Sequence, residues 1–193
     1  MESINYIKNY IESSIETKKV VLADEQLIAN IHKVVEICID ALNSGKKILL
    51  AGNGGSAADA QHIAAELVSR FFYDRPGLPA VALTTDTSIL TAIGNDYGYE
   101  RVFARQIQSL GNAGDVFIGI TTSGNSKNIL AAINEAKDKG VNTVGLCGNA
   151  GAILDIADVC LSVPSNVTPF IQESHIMIGH IICALIEKNI FPK

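Results

Sequence analysis

A chain of 193 residues, 48% hydrophobic and 18% charged, is long enough to bury one full core and too apolar to stay disordered. Its net charge of −5, with no basic run longer than Lys18-Lys19 or Lys46-Lys47, argues against a nucleic-acid interface built on a basic face. Four cysteines, Cys38, Cys147, Cys160 and Cys183, form no Cys-x-x-Cys pair and sit among apolar neighbours. They are expected as buried free thiols of a reducing cytoplasm.

In chain order, Met1-Glu2-Ser3-Ile4-Asn5 lacks the basic-then-apolar pattern of a secretory leader, and none is expected. Residues from about Asn5 to Ser44 predict two helices, with Leu27, Ile28, Ile31, Val34, Val35, Cys38 and Leu42 at helical spacing and Gly45 as the stop. Strands and helices then alternate. The strand-like runs are Lys47–Ala51, Ala80–Leu83, Val116–Ile120, Thr143–Cys147 and Val159–Val163. Helices are predicted over Ala57–Arg70, Thr87–Ile93, Arg101–Leu110, Asn128–Lys139 and Phe170–Lys188. Short continuous apolar strands between helices indicate an α/β fold, a five-stranded parallel sheet covered on both faces. No membrane span is expected, because Gly179 and His180 interrupt the apolar run Ile176–Ile186.

Two glycine- and hydroxyl-rich loops each end a strand and open a helix: Gly52-Asn53-Gly54-Gly55-Ser56 and Thr121-Thr122-Ser123-Gly124-Asn125-Ser126. Such loops aim unpaired backbone N–H groups and hydroxyls at a helix N-terminus, where the dipole favours an anion. Neither carries a P-loop lysine or a Gly-x-Gly-x-x-Gly pattern, so a small phosphorylated ligand is the better expectation than a nucleotide. As corresponding βα loops, both belong at the carboxyl edge of the sheet.

His62 and Glu66, four residues apart, share a helix face and can reach one metal ion or one substrate. Gln172 and His180 lie near one face of the last helix, and His175 points away from it, as a core or interface histidine. His62, Glu66 and His180 together have the nitrogen and oxygen character that zinc accepts. Ile93-Gly94-Asn95-Asp96-Tyr97-Gly98 is expected as a turn whose Asn95 and Asp96 contact sugar hydroxyls, with Tyr97 and Tyr99 as an apolar wall.

These segments, together with Arg75-Pro76-Gly77-Leu78-Pro79-Ala80 and Gln172-Glu173-Ser174-His175, resemble the sugar isomerase (SIS) family over nearly the whole chain, and within it the phosphoheptose isomerases. The resemblance implies a single SIS domain over residues 1–193, doubly wound and flavodoxin-like in three layers, with extra N-terminal helices and a long C-terminal helix. It implies conversion of sedoheptulose 7-phosphate into glycero-manno-heptose 7-phosphate on the way to heptose for bacterial lipopolysaccharide or capsule. Asn53, Gly54, Gly55, Ser56, Glu66, Asn95, Asp96, Thr121, Thr122, Ser123, Ser126 and Gln172 would contact substrate. One zinc per subunit would be held by His62, Glu66, Gln172 and His180. A homotetramer with intersubunit active sites is also implied, with residues of about 1–45 at the interface.

A ketose–aldose isomerisation needs a base near two carbons and an acid near two oxygens. Glu66 is the candidate carbon base and His180 the candidate acid, with Asp96 as a possible substitute base. A tight zinc ligand is less free to shuttle protons, and the sequence leaves these roles open. Three other readings compete: a non-catalytic SIS adaptor for a protein such as the replication initiator, a sugar-phosphate sensor, and an isomerase of another phosphosugar such as arabinose 5-phosphate. The presence of Glu66 and His180 argues against the adaptor, and the chain length leaves no room for a sensor's added domain.

Overall fold

A computed structural model describes residues 2–193. Two helices come first, α1 (Glu2–Ala23) and α2 (Glu25–Asn43). Asp24 separates them because its carboxylate accepts the Leu27 backbone N–H at 2.9 Å and so caps α2. The rest alternates: β1 (Ile48–Gly52), α3 (Gly55–Val68), β2 (Ala80–Ala82), α4 (Thr87–Tyr97), a 3-10 turn (Tyr99–Arg101), α5 (Val102–Leu110), β3 (Val116–Thr121), α6 (Lys127–Asp138), β4 (Asn142–Cys147), α7 (Ile153–Ile156), β5 (Val159–Ser162) and α8 (Thr168–Ile190). The short α7 and the 3-10 turn have no counterpart of their own among the predicted elements; at four and three residues they are too brief to show a period.

All five strands are parallel, in the order β2-β1-β3-β4-β5. This is the doubly wound, flavodoxin-like order, with its switch point between β1 and β3. Strand periodicity divides the core in two. Ile48, Leu50, Ile118 and Ile120 face a layer that includes α2, α3 and α8, while Leu49, Ala51 and Phe117 face one that includes α5 and α6. Asp115, at the foot of β3, is buried and pairs with Lys47 at 2.6 Å. Burial pushes its carboxyl upward, but hydrogen bonds from the Lys47 ammonium and from the Asn112 and Lys47 backbone N–H groups outweigh it and hold the carboxyl low.

Two expectations need correction. The segment Ile93–Tyr97 is not a turn but the end of α4, which Asp86 caps at its start and Gly98, at φ +85°, terminates. The final helix is longer than predicted, and by length and composition it could cross a membrane. Here it packs against α2 and α3, and Phe170, Ile171, Ile178, Ile182, Cys183 and Ile186 are buried. Cys38, Cys147 and Cys183 are buried as expected, Cys160 partly so, and all four are free thiols.

Candidate active site

The two glycine loops end neighbouring strands, since Gly52 of β1 pairs with Ile120 of β3. In the first loop, Gly54 takes φ +56°, and a Cβ on Gly52 would lie 2.4 Å from the Ser56 carbonyl oxygen. Ser56 is buried beneath that turn. The Asn53 and Asn128 amides donate to each other, at 2.9 and 2.8 Å, and the Tyr99 hydroxyl donates to the Asn53 amide oxygen at 3.2 Å. Asn53 is therefore held rigidly at the mouth of the loop by two residues to which the sequence reading gave no such part.

The second loop gathers three hydroxyls at the start of α6. Thr121 Oγ1 lies 2.9 Å from Ser126 Oγ and 3.4 Å from Ser123 Oγ. Gly124 has φ +67°, and a Cβ there would strike the Ala150 carbonyl at 2.1 Å. A cavity of about 230 Å³ opens beside the loop, lined by Thr122, Ser123, Asn149, Ser165, Asn166 and Thr168 among others. Clustered hydroxyls at a helix N-terminus suit a phosphate.

The third group sits between α3 and α8, which pack side by side. A Cβ on Gly179 would lie 2.6 Å from Ile63 Cδ1, and one on Gly55 would lie 2.6 Å from the Gln172 amide nitrogen. Two missing side chains thus let the helices approach. The approach places the His62 and His180 rings 5.0 Å apart, with His62 Nε2 3.0 Å from Glu66 Oε1. One ligand atom from each of His62, Glu66 and His180 lies within 4.8 Å of the others. His180 Nε2 is buried with no hydrogen-bond partner, and so is Oδ2 of Asp59. Burial raises the Asp59 carboxyl above its usual range, although His62 and His180 pull it down. Three converging donors beside an unpartnered imidazole nitrogen fit a divalent metal such as zinc.

Not every predicted residue joins this centre. Gln172 lies eight residues before His180, about 12 Å along the helix axis, with its amide against Gly55. Asn95 donates to Asp96 at 2.8 Å on the exposed end of α4, and neither hydrogen-bonds to the loops among the described residues. Tyr99 reaches Asn53, but Tyr97 stacks under Arg105 at 4.6 Å. His175 is fully buried, as a core histidine. Asp59 was missed, although its place three residues before His62 puts it on the same helix face.

The family described as SIS domain matches residues 9–148. Over 97% of its length the chain is 62% identical to the phosphoheptose isomerase of Aneurinibacillus thermoaerophilus, 95% of which is covered. The chain belongs to the phosphoheptose isomerases of the SIS-domain family. It is 59% identical to phosphoheptose isomerase 2 of Campylobacter jejuni, covering all of this chain and 97% of that protein. The solved phosphoheptose isomerase structure from Francisella tularensis superposes with a TM-score of 0.92 at 40% identity, covering 97% of this chain and 100% of that one. That from Neisseria gonorrhoeae gives 0.89 at 42% identity, with 95% and 98% covered.

Proposed function

We infer that this protein is an aldose–ketose isomerase acting on sedoheptulose 7-phosphate. The observation that carries the reading is the convergence of His62, Glu66 and His180 between α3 and α8, in a chain whose full-length relatives are phosphoheptose isomerases. The product is the corresponding aldose, glycero-manno-heptose 7-phosphate, a precursor of bacterial surface glycans.

The hydroxyls of Thr121, Thr122, Ser123 and Ser126, with the N-terminus of α6, hold the phosphate. Asn53, Gly54 and Gly55 bind the sugar chain, and Asn95 and Asp96 approach it from α4. Anchoring the end remote from C1 and C2 lets binding energy orient the reacting carbons. Glu66 moves the proton between C1 and C2, and His180 serves the two oxygens. His62 and the half-buried Asp59 flank them. A zinc ion held by His62, Glu66 and His180 would polarise the carbonyl and stabilise the developing enediolate.

Gln172 stands two helical turns before its own His180, with its amide against Gly55, which supports a fourth donor from a second copy. Ile4, Ile7, Ile11 and Leu22 leave an apolar face of α1 uncovered, and this supports its burial in a homotetramer. The four free thiols support a reducing cytoplasm.

The test follows aldose formation from sedoheptulose 7-phosphate by NMR, with and without chelator and added zinc. Glu66→Gln and His180→Gln are each expected to lower turnover at least about a hundredfold while leaving the fold intact. Absence of turnover by folded, zinc-loaded wild type would overturn the reading and favour another phosphosugar substrate first, then the adaptor. A monomer in sedimentation velocity would remove its intersubunit part.

A further inference from the structure

The segment that follows α3 contains an ion pair unused by the chemistry above. Arg75 Nε lies 3.1 Å from Glu187 Oε1, with side chains 2% and 1% exposed. All three guanidinium nitrogens donate. Besides Glu187, the group donates through Nη1 to the carbonyls of Leu67, Ser69 and Pro76 at 2.6, 3.1 and 3.0 Å. Through Nη2 it donates to the carbonyl of Glu66 at 2.9 Å. The Glu66 and Leu67 carbonyls belong to the last turn of α3, where no intrahelical donor remains for them.

Glu187 completes the junction from α8. Its carboxylate also accepts the backbone N–H groups of Phe71 and Phe72, at 2.9 and 2.7 Å. Burial pushes this carboxyl up, but those two backbone groups and Arg75 outweigh it and keep it ionised. Glu187 stands seven residues beyond His180, two turns along the same side of α8. The Phe71 ring lies 5.6 Å from the His180 ring. One arm of the network therefore ends on the backbone of Glu66, and the other on a ring that backs His180.

We propose that Arg75 and Glu187 are positioning residues, a buried clamp that fixes the Glu66 backbone relative to α8 and so sets the spacing between Glu66 and His180. Apolar residues can replace the stability of a buried ion pair, although here they would leave the Glu66 carbonyl and the Phe71 and Phe72 N–H groups without these partners. What they cannot replace is direction: a planar fork whose three nitrogens each meet defined oxygens. The inference rests on His62, Glu66 and His180 being the reacting centre.

The test uses the full-length, zinc-loaded assembly with two changes: Arg75→Lys, and the double variant Arg75→Met with Glu187→Leu. The lysine keeps the charge and loses the fork; the double variant removes both charges together. For each, kcat, KM, the urea midpoint and zinc affinity by chelator competition are measured, with Glu66→Gln alongside. The clamp predicts folded proteins whose kcat falls roughly tenfold or more with KM within about threefold. Zinc affinity is expected to fall about tenfold, the usual scale for a lost supporting interaction at a metal centre. A folded variant with kcat within about twofold of wild type overturns the clamp. So does a kcat loss that vanishes at a lower temperature where the variant is fully folded, since that is stability alone. Full turnover by Glu66→Gln would remove the underlying reading; its loss beside unchanged Arg75 variants would remove the clamp only.

Discussion

At the scale of single residues, the histidines separate by surroundings. His175 is wholly enclosed, and neither ring nitrogen has a hydrogen-bond partner. Burial pushes its pKa down to about 4, outweighing an opposing contribution from the Cys147 backbone. In the unfolded chain the ring titrates near 6.5. Above that pH it is neutral in both states, and stability is undiminished. Between about pH 6.5 and 4 the unfolded chain takes up a proton that the folded one refuses, which costs about 3 kcal/mol in total. Urea midpoints at pH 7.5 and 5 should therefore show wild type losing about 2 kcal/mol more than His175→Leu; equal losses would mean that the ring is solvated. The contrast between His175 and His180 was readable from five residues of helical rotation. Asn95 and Asp96 were not, because turn-forming residues are equally at home in a last helical turn, and only Gly98 marks where that turn ends.

At the scale of elements, the site depends on one helix pair. Spacing within α3 shows that His62 and Glu66 share a face, yet no periodicity reports that α8 lies alongside. His180 is 118 residues from His62 in the chain. The only local trace is Gly179, a poor helix former kept in the interior of α8. Its lost Cβ is the clearance that Ile63 occupies, 3% exposed and with nowhere to move. Gly179→Ala is expected to cost about 1–3 kcal/mol through overpacking. It should also lower kcat, because His180 is the next residue. Adding Ile63→Ala, which removes both the Cδ1 and the Cγ1 that the new Cβ would meet at 2.6 and 2.8 Å, should recover most of the kcat loss in NMR rates. A Gly179→Ala protein as stable and active as wild type would show that the helices are not held this closely.

For the molecule as a whole, alternation of strands and helices foretold the parallel sheet, and the sheet foretold that both loops share an edge. That inference needed no side-chain detail, because ligand sites in such sheets follow from strand order. The net charge of −5 gives no general attraction for an anionic sugar. Affinity must come from local donors at the switch point, which is why hydroxyls and backbone amides carry the phosphate reading. The clamp was illegible: Arg75 and Glu187 are 112 residues apart and meet only when α8 closes over the end of α3.

The reciprocal amides of Asn53 and Asn128 also bear on how the protein ages. Asn53 precedes a glycine, the context in which the next backbone nitrogen most readily attacks the side-chain carbonyl, closing an imide that opens to aspartate or isoaspartate. Bonding to Asn128 and Tyr99 restrains that carbonyl. Asn128→Ala should free it, so that stored protein accumulates the acidic form of the 53–54 peptide faster than wild type in mass spectra; equal rates would show no such restraint. Each conversion would set a negative charge in the loop proposed to bind the sugar of an anionic substrate, and the partner amide would then also protect the enzyme's working life.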